Sequence, residues 1–233
     1  MHLKINLLFF ISMKKNSILV LFFAMFFATL NVYGQKAYSL TYEDFMADRW
    51  EPLDSLAAKE RGDSRKIWWG GNDFTLTTND SKLDKIIKKN AFIVAMDSTL
   101  FLNCRNLRYE KTQFGNGFVP CRRIGQRSIL FVNRFIGKKE QSKAAMAGMM
   151  FGAIGGAIAA STNAKKRVCY VISDGANEKG RINIRLVDDK LIEKMLDGRD
   201  DLKEQYYSEK KEDKRILATR VIPILEKAGL IQP

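Results

Sequence analysis

The sequence predicts an α+β fold: an antiparallel β-sheet built mostly from residues 92–188, C-terminal helices that close it, and an inserted Ala/Gly-rich helix. Three observations predict it. Short apolar runs separated by turn-forming residues fill 92–134 and 168–188. Apolar residues recur at helical spacing from 188 to 225. Between the two strand-rich parts lies an uncharged small-residue stretch, 144–160. With 46% hydrophobic residues in 233, the chain has apolar side chains enough for a core, and only four prolines argue against a mainly disordered chain.

Residues 1–34 read as an export signal. Lys14 and Lys15 precede a 13-residue apolar stretch, 18–30, broken only by Thr29. That length is short for a membrane span and suits a signal cut after Gly34, leaving Gln35 at the mature end. A second apolar run, 7–11, lies upstream of the basic pair, which fits translation starting at Met13. Cleavage removes His2, the one histidine. The exported chain then has no Ser–His–Asp triad, no Cys–His pair and no His-ligated metal.

Residues 35–91 form an N-terminal mixed segment. Residues 42–61 are expected to be helical in part, with Pro52 as an interruption. Residues 67–69, Gly70-Gly71 and 74–78 read as strand, turn and strand, and Asp80 is placed to cap a short helix burying Leu83, Ile86 and Ile87.

The α+β domain spans 92–233. Strands are expected at 92–95 and 100–104 around Asp97-Ser98, and at 128–134. A hairpin of 107–114 with 118–124 is expected around Gly115-Asn116-Gly117, because Asn and Gly tolerate positive φ. A second hairpin pairs 168–173 with 181–188 through Asp174-Gly175. In its second strand Ile182, Ile184 and Leu186 alternate with Arg181, Asn183 and Arg185, one face apolar and one basic. Asp188 or Asp189 starts a helix carrying Leu191, Ile192, Met195 and Leu196, and Gly198 ends it. Asp200-Asp201 open another with Leu202, Tyr206 and Tyr207. Ile216, Leu217, Val221 and Leu225 follow, with Pro223 as a kink or a new helix start.

The insert has its own pattern. Ala144, Gly148, Gly152, Gly156 and Ala160 repeat every four residues, and Met146, Met150, Ile154 and Ile158 share that spacing on roughly the opposite face. This glycine-zipper-like arrangement lets another helix approach closely and predicts self-association or membrane contact. Seventeen helical residues span roughly 25 Å, short of a bilayer core of about 30 Å. Both ends also lead into one sheet, so a single crossing is not expected; a mobile Ala/Gly-rich loop is the alternative.

Charge is unevenly placed. The net charge is +13, yet residues 104–185 hold 16 Lys and Arg against four Asp and Glu, while 35–103 and 186–233 each hold ten against eleven. Lys138, Lys139, Lys143, Lys165, Lys166 and Arg167 flank the insert, and with Arg181 and Arg185 they are the expected contacts for an anionic partner. Cys104 and Cys121 flank the expected hairpin and are the candidate disulfide, with Cys169 left over; three buried thiols are the alternative. No Walker loop, dinucleotide fingerprint, EF-hand or paired Cys-x-x-Cys is present, so no cofactor, metal site or catalytic residue is assigned. Trp68 and Trp69 are candidates for a sugar-stacking platform or for core packing.

The run Asp97 to Tyr109, continued by Phe114-Gly115-Asn116-Gly117-Phe118-Val119-Pro120, the insert and the Leu-rich terminal helices together resemble a family of exported Bacteroidota proteins without an established activity. The resemblance covers about residues 90–230 and implies address and architecture only. The resulting expectation is a non-enzymatic envelope protein, periplasmic or at the outer-membrane periphery. It associates with an anionic membrane surface or self-assembles as a homo-oligomer. The alternative is a periplasmic binding module for an acidic glycan, and a carboxylate-based hydrolase comes third. Export removes nucleic acid from the expected partners.

Overall fold

The computed structural model describes residues 36–62, 72–136, 166–176 and 181–232. Its elements in chain order are β1 (Ala37–Ser39), α1 (Tyr42–Met46), β2 (Glu51–Pro52), β3 (Ala57–Glu60), β4 (Phe74–Thr77), α2 (Ser81–Lys89), β5 (Ile93–Met96) and β6 (Thr99–Asn103). There follow β7 (Arg108–Tyr109), β8 (Thr112–Gln113), β9 (Phe118–Ile124), β10 (Ser128–Arg134), β11 (Arg167–Ala176), β12 (Ile182–Leu186), α3 (Asp189–Met195), α4 (Asp200–Tyr207), α5 (Glu212–Arg215) and α6 (Ala218–Lys227). The α+β class expected from the sequence is the class found. The signal segment, Trp68 and Trp69, the strand expected at 67–69, the insert 144–160 and its flanking Lys138, Lys139, Lys143 and Lys165 lie outside the described residues.

The main sheet runs β12-β11-β10-β9-β6-β5-β1-β2, with β3 and β4 attached where Phe74 pairs with Phe118. Every pairing is antiparallel. The central strands read as continuous apolar runs because both faces are covered. Along β10 and β11, Ile129, Phe131, Val168, Tyr170 and Ile172 enter one core, while Leu130, Cys169 and Val171 enter another beneath α3, α4 and α6. A third core lies under α2 and β4, around Leu76, Ile87, Val94 and Phe101.

The sheet curls around the first core. Tyr42, three residues after β1, donates its hydroxyl to the carbonyls of Arg127 at 2.5 Å and Ser173 at 3.4 Å, beside β10 and within β11. In a flat sheet β1 and β11 would lie about 24 Å apart, whereas three residues of chain reach at most about 11 Å. Only a curled sheet brings them together, and α1 then plugs the concave side with Tyr42 and Phe45, both buried.

Residues 36–91 are therefore not a separate mixed segment: β1 and β2 extend the sheet through β5, and 36–233 form one compact unit. The hairpin expected around Gly115-Asn116-Gly117 is also different. β9 pairs with β6, and 107–114 folds onto itself as the small β7–β8 ribbon. The reason is the buried Phe114 and Asn72, whose amide donates to the carbonyls of Phe114, Gly115 and Asn116. Gly117, at φ +105°, is required there, since a Cβ would stand 2.8 Å from the Phe74 carbonyl. Asp174 and Gly175 lie within a bulged end of β11 rather than in the turn. The alternation on β12 is as expected, with Ile184 buried and Arg181 and Arg185 exposed.

Helix ends follow the expected chemistry. Asp80 caps α2 by accepting from the amides of Lys82 and Leu83, and Asp188 caps α3 through Leu191. Gly198 adopts φ +74° after α3. Pro223 sits inside α6 on its exposed face, as does Thr219 one turn before it.

Candidate functional site

Part of the basic middle of the sequence is neutralised in the fold. Folding brings acids from the neighbouring segments onto it. Arg122 pairs with Glu226 at 2.6 Å and Lys166 with Asp213 at 3.7 Å. Arg123 pairs with Asp48 at 2.9 Å and lies 4.1 Å over the Phe45 ring. Arg167 grips Asp73 with two bonds of 2.9 and 2.5 Å and also donates to the Val132 carbonyl. Arg134 donates to the Gln113 carbonyl. Of the residues expected to meet an anion, Lys166 and Arg167 are thus committed to ion pairs. Arg185 stands on β12 and Arg181 immediately before it, and Arg167 and Arg181 lie at opposite ends of the β11–β12 ladder. Lys138, Lys139, Lys143 and Lys165, the other residues of the expected set, lie outside the described residues.

The disulfide expected between Cys104 and Cys121 is absent; all three cysteines are free and buried. Cys121 faces Leu100, while the Cys104 amide bonds the Gly117 carbonyl. The two cysteines are therefore four residues apart along the ladder, about 13 Å, beyond the roughly 7 Å a bridge spans. Burial pushes all three thiols up, Cys169 to about 12, so none is an activated nucleophile. Around Cys104 runs a buried polar spine: Asn133 donates to Asn72 at 2.8 Å and to the Cys104 sulfur at 3.6 Å. Its amides are spent on protein acceptors, so its role is to hold strands and loops together.

A second polar cluster ties the C-terminal helices. Asp189 accepts from Arg215 through two bonds and from the Tyr206 hydroxyl at 2.8 Å. Arg215 also lies 5.0 Å over the Tyr207 ring. The Arg215 bonds hold the Asp189 carboxyl below its usual range, while burial and the neighbouring Asp189 push the Tyr206 phenol up. Among the described residues no three His, Cys, Asp or Glu side chains converge as metal ligands, and no helix is long and apolar enough to cross a membrane.

A cluster of cations without an ion-pair partner among the described residues lies on α2: Lys82, Lys85, Lys88 and Lys89, all of them exposed. At 100° per residue, Lys82, Lys85, Ile86 and Lys89 share an arc of about 100°. Ile87 points the other way and is fully buried. Ile86, expected in the core, is 37% exposed at the edge of the lysine arc, between Lys82 and a core-facing stripe that in so short a helix has room only for Leu83 and Ile87. The one acid of the helix, Asp84, is turned inward to the backbone amide and hydroxyl of Thr78. The helix is fixed rigidly at its C-terminal end: Asn103 donates to the carbonyls of Ile87, Lys88 and Ala91, and Asn106 to that of Lys89.

A family of unknown function, DUF6563, matches residues 36–232, nearly the whole compact unit. The chain belongs to the DUF6563 family. No curated protein and no solved structure gives a significant match. In this DUF6563 chain the lysine face escaped the charge count because the acids of 35–103 cancel it arithmetically, while on α2 itself Asp84 is turned inward and Asp80 is spent on the cap. The signal that finds it is local: Lys at 82, 85 and 89 on one arc beside Ile86, on a helix already marked by its Asp80 cap.

Proposed function

We propose that this protein is an exported, non-enzymatic envelope protein that attaches to an anionic surface. The observation that carries the reading is the acid-free lysine face of α2, set rigidly on the sheet by Asn103 and Asn106. Arg122, Arg123 and Arg167 neutralise acids of the same chain, whereas the α2 lysines pair with none among the described residues and are clustered on one helix. The apolar stretch at 18–30 supports the address, and self-association through 144–160 would add avidity to the same attachment.

The test is binding of residues 36–233 to anionic supports at rising salt. The expected result is retention that falls steeply with ionic strength, because exposed charges are screened beyond about 8 Å at physiological salt. Salt-independent binding, or none, overturns the reading.

A further inference from the structure

We infer that α2 is the face by which the protein lies on an anionic phospholipid bilayer, with Lys82, Lys85 and Lys89 at the phosphates and Ile86, beside Lys82 at the edge of their arc, entering the headgroup layer. This rests on the attachment proposed above and names its face and its partner.

Helix stability does not call for this arrangement. Lys85 and Lys89 are like charges at i, i+4, and Lys82 stands in the first turn, where the helix dipole disfavours a cation. Lys88 and Lys89 suit the last turn, but that accounts for only half of the set. Nor does packing call for Ile86, which with Leu40 is one of two large hydrophobic side chains exposed among the described residues.

The combination fits lipid. A polyanionic glycan would engage the lysines and leave an aliphatic side chain without a role. An anionic bilayer takes both: ammonium groups stay at phosphate level while an apolar side chain at the edge of the face enters the acyl boundary. The helix is nine residues long, about 13 Å, and its buried side is anchored in the third core through Ile87. It lies flat as part of the rigid unit and needs no refolding to dock.

The experiment measures partitioning of residues 36–233 onto vesicles of phosphatidylglycerol and phosphatidylcholine in equal parts, and onto phosphatidylcholine alone. A lysine near an anionic surface is worth about fivefold in partitioning. Lys82→Glu with Lys85→Glu is therefore expected to lower binding to the anionic vesicles at least about 25-fold, and Ile86→Ser several-fold. Arg108→Glu with Lys111→Glu makes the same change of net charge away from α2 and is expected to cost far less. Far-UV circular dichroism checks that each variant is folded.

Equal losses from the two double variants would show that net charge, not α2, drives binding, and would overturn the inference. So would wild-type binding by the α2 double variant. An unaffected Ile86→Ser, or retention on an acidic polysaccharide without vesicle binding, would overturn the lipid partner. In each of these cases the proposed attachment stands. Failure of the unaltered chain to bind any anionic support overturns the attachment itself.

Discussion

Asn103 is the residue on which the α2 face depends, and its replacement has a calculable cost. The side chain is buried and its amide serves three carbonyls, those of Ala91 at 2.9 Å, Ile87 at 3.1 Å and Lys88 at 3.3 Å, while its oxygen accepts from the Arg105 amide. The first two of these carbonyl bonds are buried. A buried polar group left without a partner costs about 1–3 kcal/mol, so Asn103→Ala is expected to destabilise the unit by about 2–4 kcal/mol. For a unit of this size that corresponds to a fall in Tm of about 5–12 °C. Asn103→Asp is isosteric but sets a carboxylate against three carbonyl oxygens. Its pKa in the folded state must rise above the unfolded value of about 4. The folded state then binds the proton more tightly, so stability is greatest below the unfolded pKa and is lost as pH rises through the folded one. Urea unfolding of both variants near pH 7 and near pH 4 is the assay. Asn103→Asp within about 0.5 kcal/mol of wild type near neutrality, or equally destabilised at both pH values, would refute the assigned bonding.

Three further outcomes follow from the same structure. Gly117→Ala, at φ +105° and 2.8 Å from the Phe74 carbonyl, is expected to destabilise by about 2–4 kcal/mol. Gly198→Ala, at φ +74° with open space around it, costs about 1 kcal/mol; thermal melts that reverse this ranking would refute the loop geometry. Asp189→Asn removes a carboxylate whose pKa is lowered chiefly by its bonds from Arg215, so the stability it supplies is present above the unfolded carboxylate pKa and is lost as pH falls through the folded one. The variant should therefore show a flatter acid limb in urea midpoints measured over a pH series. All three cysteines should resist a thiol reagent in the native state and react together after denaturation, and rapid labelling of any one would contradict its burial.

Much of the fold was legible because local signals agree with the global arrangement. The Asp80 and Asp188 caps, the β10 run and the β12 alternation were each readable within a few residues, where period and capping chemistry act. The errors come from partners distant in sequence. The Asn-Gly signal at 115–117 is real, but Asn72 recruits that loop, and nothing local to 107–124 announces it. The same holds for charge. The excess in 104–185 is a property of the chain, and Asp48, Asp73, Asp213 and Glu226 cancel much of it only when folded. Ile86 was placed in the core because Leu83, Ile86 and Ile87 fit one helical period, yet α2 rests on the sheet over a narrower stripe than that period allows.

The position of α1 also has a consequence in time. Tyr42 is made early, while its acceptors at Arg127 and Ser173 lie 85 and 131 residues later. At roughly 5–20 residues per second, synthesis alone separates Tyr42 from Ser173 by about 10 s. During that interval Tyr42 and Phe45 have no concave face to fill, and the loop-closure cost of joining them to it remains outstanding. Docking of α1 therefore waits on β11, and until it occurs the chain exposes an aromatic segment near its start and an unfilled first core.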